Sequence, residues 1–246
     1  MPKTAANLLA IDTSTDRLAL SLCCPHGHWF HESPGGSLAS SSLLPQVQQL
    51  LSSAGLSPPM LDAVAFGRGP GAFTGLRTAC SVAQGLALGG SGRVLPLDSL
   101  QIVAEDARMQ ISAVNPLKLW VAMDARMQEV YAAAYEWTGQ DWSVTVAPAL
   151  YTAVAWADQV QSMPTAWIAG NAVTAFGAEF PISGAQSINH ECSRAQALGR
   201  LSVQAWTNGQ DVDAAMALPI YLRDKVAQTT LEREGSRLDK VAKVAP

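Results

Sequence analysis

Apolar residues recur along the chain in two periods, and the switches between them mark out short strands and longer helices. NLLAID is an apolar run of strand length, TSTD is turn chemistry, and RLALSL alternates Leu18, Leu20 and Leu22 with smaller or polar residues, which predicts a hairpin. PHG makes a second turn and HWFHE a third strand, followed by the Ser/Gly-rich segment PGGSLASSS. In LLPQVQQLLSSAG, Leu43, Val47, Leu50 and Ala54 fall at helical spacing, Pro45 fits an early turn, and Gly55 is placed to end the helix. DAVAFG then predicts a strand, FTGLRTACSVAQGLALG a helix of small residues, and RVLPLD another strand.

That order repeats. LLAIDTSTDRLALSL lies on LWVAMDARMQEVYAAAY so that Ala10, Ile11 and Asp12 match Ala122, Met123 and Asp124. DWSVTVAP supplies a third strand, TAVAWADQVQ a helix, TAWIAGN a strand ending at Gly170 as DAVAFG ends at Gly67, and SRAQALGRLSVQAW a further helix. The expected fold is α/β: two tandem ribonuclease H-like domains of mixed sheets with flanking helices, joined near Ser99 to Asn115. This layout resembles the superfamily of actin, Hsp70 and the sugar kinases, whose members bind nucleotide between the halves. The expected bounds are 1–105 for an N-terminal domain carrying partner-binding helices and 106–210 for the duplicate. Residues 211–246 are expected to pack back and then run into a disordered tail.

Composition narrows the function. Nearly half of the 246 residues are apolar, enough for real cores, and no run approaches the roughly 20 residues that span a bilayer. The N-terminus enters a strand pattern without a signal-peptide core, so a cytoplasmic location is expected. The four cysteines form no CxxC and read as thiols. A net charge of −4 and a pI of about 5.5 exclude a basic stripe that would grip nucleic acid unaided. Six of the sixteen Lys and Arg lie from Arg223 onward, in a segment without an apolar face.

The candidate chemistry starts at GRGPGAFTGLR, residues 67 to 77. Glycines ahead of a helix expose N–H groups to an anion, yet no Lys followed by Ser or Thr completes a P-loop. GRGPGA also satisfies the dinucleotide pattern, with Asp98 near the expected acid, but Pro70 and the preceding β-meander weigh against it. The simpler reading is a sharp turn with positive φ values that leaves Thr74 to cap the helix. On that helix Phe73, Leu76, Cys80, Ala83 and Ala87 suit the core, while Arg77, Ser81, Gln84 and Leu88 look outward. CCPHGHWFH crowds its Cys and His too closely on one turn and strand to enclose a metal, so none is expected. Asp12 and Asp124 match the paired acids that kinases of this superfamily use for Mg2+ and phosphates. TST lacks the glycine of a phosphate turn, however, and Arg126 is expected to lock the two acids in a salt bridge between the halves. A vestigial nucleotide site would consist of Asp12, Gly67, Gly69 and Gly71. No GxSxG elbow is present for a peptidase.

LLAIDTST, GRGPGAFTGLR followed by QGLALG, VAMDARMQEVYAAAY and LPIYLRDKVA occur in this order over residues 8 to 227. Together they resemble the TsaB (YeaZ) family, with GRGPGAFTGLR the most specific, since the TsaD paralogue also begins with a segment like IDTST. The resemblance implies a scaffold subunit without its own active site. It would bind TsaD, whose HxxxH-held metal helps transfer threonylcarbamoyl to A37 of ANN-decoding tRNAs (t6A synthesis), and would help the P-loop ATPase TsaE to join them. It further implies a homodimer when alone, tRNA contact only indirectly, no membrane association, and no cofactor beyond weak or interfacial ATP or ADP. The bundle face it implies for pairing comprises Leu43, Val47, Leu50, Thr74, Arg77, Thr78, Ser81 and Gln84. The chain agrees in lacking HxxxH, and it departs at Ala39, where family members often carry a histidine. The alternative is a stand-alone ATP-dependent small-molecule kinase of the same superfamily.

Overall fold

The computed structural model describes residues 6–111 and 115–223; the tail expected to be disordered at the end of 211–246 lies outside the described residues. The first half runs β1 (Leu8–Asp12), β2 (Arg17–Cys24), β3 (Gly27–Pro34), α1 (Ala39–Ser53), β4 (Ala63–Gly69), α2 (Phe73–Leu88), β5 (Arg93–Asp98) and α3 (Ser99–Gln110). The second runs β6 (Leu117–Asp124), β7 (Glu129–Trp137), β8 (Trp142–Thr152), α4 (Ala153–Ser162), β9 (Trp167–Ala169), α5 (Ala172–Phe176), β10 (Gln186–Ile188) and α6 (Arg194–Thr207). A closing segment carries β11 (Val212–Asp213) and a 3₁₀ turn, Ala214–Met216.

The strands form two mixed sheets, ordered β11-β5-β4-β1-β2-β3 and β10-β9-β6-β7-β8. In each, an antiparallel meander is extended by two parallel strands beyond its first member. Apart from β11 the two orders agree position for position, so the fold is a pair of tandem ribonuclease H-like α/β units.

Helices are exchanged between the halves. Leu100, Val103, Ala104 and Ala107 of α3 pack with Leu119, Val121 and Tyr135 of the second sheet. Ala195, Ala197, Leu198 and Leu201 of α6 pack with Leu8, Ala10, Ala65 and Leu95 of the first. The line between residues 105 and 106 falls inside α3.

Two helix ends show how the local sequence acts. α1 stops as Gly55 turns to φ 68°, with Leu56 N–H donating to Leu51 O at 2.9 Å and Gly55 N–H to Ser52 O at 3.1 Å, a Schellman closure. Its start differs from expectation. It begins at Ala39, so Pro45 stands in the second turn, where it leaves one carbonyl without its helical donor. The α2 cap differs too: the N-cap is Ala72, and Thr74 sits within the first turn, where its carbonyl accepts from Thr78 Oγ1 at 2.9 Å. Ala72 is held by its own N–H, which donates to Ser14 O at 2.7 Å.

Candidate functional site

The β1–β2 turn and the glycine turn after β4 interlock. Thr13 Oγ1 donates to Gly75 O at 2.7 Å, and Gly69 N–H donates to Ser99 Oγ at 3.0 Å. The glycines are needed because neighbouring atoms of the β1–β2 turn fill the space a side chain would take. A Cβ on Gly75 would lie 1.8 Å from Thr13 O, and one on Gly67 would lie 2.0 Å from Asp12 Oδ1. The amides of Gly69 and Ala72 are therefore committed to protein acceptors, and Pro70 has none to offer.

Asp12 sits at the centre of this knot and is fully buried. Its Oδ2 accepts from Arg194 Nε at 2.5 Å and from Ser14 Oγ at 3.0 Å, while Oδ1 accepts from Ser14 N–H at 3.2 Å. Arg194 arrives from the first turn of α6, and its guanidinium also reaches Glu191 at 2.8 Å, Ser14 Oγ at 3.0 Å and the Ser99 carbonyl at 3.4 Å. Burial alone would lower the Arg194 pKa, but the charges of Asp12 and Glu191, with their hydrogen bonds, raise it above the ordinary arginine value. The charge pair is thus fixed by hydrogen bonds on both partners. This corrects the expectation for Arg126. Among the described residues it pairs with Asp124 alone, at 3.3 Å, and is 84% exposed.

A cleft of about 570 Å³ opens between the halves beside this knot. Gly71, Ala72, Arg17, Asp124, Tyr221 and Arg223 are among its walls. Asp98 is not a ribose acid. It caps α3 by accepting from Leu100 N–H at 2.9 Å, and it accepts from the Tyr135 hydroxyl at 2.6 Å across the halves. Burial pushes the Asp98 carboxyl up against the lowering pull of those donors. Burial and the Asp98 charge push Tyr135 well above the usual tyrosine range. In CCPHGHWFH, His28 Nδ1 lies 3.2 Å from Cys23 Sγ, and among the described residues no three metal-ligating side chains converge. Burial raises the Cys23 thiol.

Of the nucleotide candidates, Gly67 stands against Asp12 and Gly71 against Ser14, whereas Gly69 packs under the Ile220 carbonyl and Leu76. The candidate pairing face divides. Leu43, Val47 and Leu50 are buried in the chain's own core against Leu20, Leu22 and Cys80, so they seat α1 on its sheet instead of facing outward. Thr74, Arg77 and Ser81 are exposed on α2, and Thr78 is half-buried. Gln84 is tied down, its amide donating to Ala214 O at 2.9 Å and Ala217 O at 3.3 Å. Arg77 is also engaged: Nε donates to the Tyr221 hydroxyl at 3.0 Å, and Cζ lies 3.9 Å from the Phe73 ring centre. Phe73, expected in the core, is only half-buried under Tyr221. Sequence reasoning missed Arg194, the cation of the central pair. The only local signal was a charge inside SRAQALG, at a helix start where cations are disfavoured.

Residues 37–193 match the family model described as "TsaD: tRNA N6-adenosine threonylcarbamoyltransferase". The tRNA threonylcarbamoyladenosine biosynthesis protein TsaB of Escherichia coli (strain K12) is 30% identical over 240 residues, covering 89% of this chain and 96% of that protein. TsaB of Haemophilus influenzae is 38% identical over 124 residues, 50% of this chain and 51% of that one. Among solved structures, YeaZ from Pseudomonas aeruginosa has a TM-score of 0.76 at 32% identity, covering 88% of this chain and 100% of that one. A second structure, described as similar to peptidase YeaZ from Pseudomonas aeruginosa, has a TM-score of 0.79 at 33% identity, with 89% and 100% covered. Among the described residues no helix is long and apolar enough to cross a membrane. Sequence identity along nearly the whole chain, the duplicated sheets and the interlocked glycine turn agree, and the chain belongs to the TsaB (YeaZ) family.

Proposed function

We propose that this chain is a scaffold subunit in tRNA t6A synthesis, binding TsaD and supporting threonylcarbamoyl transfer to A37 of ANN-decoding tRNAs without an active site of its own. The observation that carries this reading is the buried Arg194–Asp12 pair. The acid that would organise Mg2+ in a kinase of this fold is neutralised by an internal cation, and the turn amides of Gly69 and Ala72 are spent on Ser99 and Ser14. A site so occupied has little left with which to hold a phosphate.

Pairing is assigned to the outer faces of α1 and α2, which touch each other and expose Leu44, Ser81 and Leu88. The same face serves a homodimer when the chain is alone, and TsaE joins through the TsaD complex. ATP or ADP enters the cleft weakly or at the interface with the partner, and tRNA is reached only through that partner. Mixing the chain with TsaD and running size exclusion tests the reading: a joint peak at micromolar concentration is expected, and its absence sinks it. Tight ATP binding with phosphoryl transfer by the chain alone would favour the kinase instead. Ser81→Arg, which sets a long charge on the exposed face, is expected to weaken pairing about tenfold or more while the fold is kept.

A further inference from the structure

Residues 211–223 run from the first sheet, across α2, to the second half. Their near end is anchored by β11 on β5, by Arg93 Nε donating to Asp211 at 2.6 Å, and by the Gln84 amide on Ala214 O and Ala217 O. Ile220 N–H then donates to Arg68 O at 2.6 Å, and the Tyr221 ring lies 4.8 Å from that of Phe73. Their far end is Arg223, which contacts the β6–β7 turn in three places: the Met127 sulfur at 3.1 Å, the Arg126 carbonyl at 3.3 Å, and the Glu129 carboxylate.

That turn is the most strained backbone among the described residues. Arg126, Met127 and Gln128 have φ values of 65°, 56° and 61°, three successive non-glycine residues in the left-handed region. Each costs on the order of 1–2 kcal/mol there, so the turn persists only because its surroundings hold it. Arg126 and Tyr221 also line the cleft. Outward, the segment leaves Met216 and Leu218 about 70% exposed beside α2. One ribbon of chain therefore touches both the pairing face and a strained turn at the mouth of the cleft.

We propose that residues 211–223 are a clamp that couples the α2 face to the β6–β7 turn, so that a partner seated on α2, Met216 and Leu218 tightens the mouth of the cleft. The coupling to a partner rests on the TsaD reading above; the clamp itself does not.

Hydrogen–deuterium exchange on the full chain separates the two. The reporters are the amides of Ala125 and Glu129, bonded to Glu129 O and Arg126 O within the turn. In the free protein, Arg223→Ala removes a charge-assisted contact and speeds their exchange about tenfold or more. Gln84→Ala, at the other end, speeds the same amides, but adds nothing in an Arg223→Ala background, because the signal has lost its last link. A Gln84→Ala chain whose turn exchanges as in the wild type, or two effects that simply add, overturns the clamp. Saturating TsaD should slow the turn in the wild type and leave it unchanged in Arg223→Ala. Binding that leaves the wild-type turn unaltered overturns the coupling, whereas no binding at all overturns the TsaD reading and leaves the clamp to the free-chain result.

Discussion

The first-half turn after β1 and the second-half turn after β6 descend from one repeated pattern and end in opposite states. Asp12 is fully buried and meets a buried Arg194 brought from α6; Asp124 is partly open to solvent and pairs with its exposed neighbour Arg126. The first turn is wedged against glycines, with Gly67, Gly71 and Gly75 each too close to Asp12, Thr13 or Ser14 to accept a side chain. The second keeps one such approach, Gly170 under the Ala122 carbonyl, and is otherwise a left-handed excursion held by Arg223. The two halves agree in their strands, where the core fixes the side chains, and differ in these turns, one locked and one open.

The largest test of this contrast is to remove each arginine. Arg194→Met leaves Asp12 as an uncompensated charge in the interior and is expected to cost about 3–5 kcal/mol, read as a lower urea midpoint. Arg126→Ala removes an exposed ion pair and should cost about 0–1 kcal/mol. Replacing the pair together, Asp12→Leu with Arg194→Met, should recover much of the loss, because the penalty of the single change is the orphaned carboxylate. Equal losses for Arg194→Met and Arg126→Ala would mean that the first turn is no more locked than the second.

Much of this was legible in the chain. Strand order, duplication and the stop at Gly55 follow from period and turn chemistry, which act within a few residues. Arg194 was not, because its contact with Asp12 spans 182 positions and no local pattern announces it. The exchange of α3 and α6 between sheets was hidden for the same reason. Leu43, Val47 and Leu50 show a subtler limit: helical spacing says that α1 has an apolar stripe but not what covers it, and here the cover is the chain's own sheet. GRGPGAFTGLR could be read as a turn, but that its glycines make room for Thr13 and Ser14 needed the fold. Two substitutions in α2 sharpen this. Gly75→Ala drives a methyl into Thr13 O and should destabilise by about 1–3 kcal/mol or more. Gly85→Ala meets nothing and should stabilise by roughly 0.5–1 kcal/mol through helix propensity. A neutral Gly75→Ala would show that the two turns are not wedged in solution.

The last test concerns the link between the halves, the Tyr135 hydroxyl on Asp98. Both groups hold their protons more tightly in the folded chain than when unfolded, since burial raises each of them. For a raised pKa, the folded state binds more protons in the window between the unfolded and folded values, so stability falls as pH rises through it. For Tyr135 that window begins at the ordinary tyrosine range and extends upward: the contribution is whole below it and is lost above it. Alkaline unfolding curves should therefore descend less steeply in Tyr135→Phe, which has no proton to lose there, than in the wild type. At neutral pH the variant should be weaker by about 1–3 kcal/mol, the cost of leaving Asp98 short of a buried donor. The two curves should converge as pH climbs, and parallel curves would mean that the hydroxyl between the halves is open to water and ionises alike in both states.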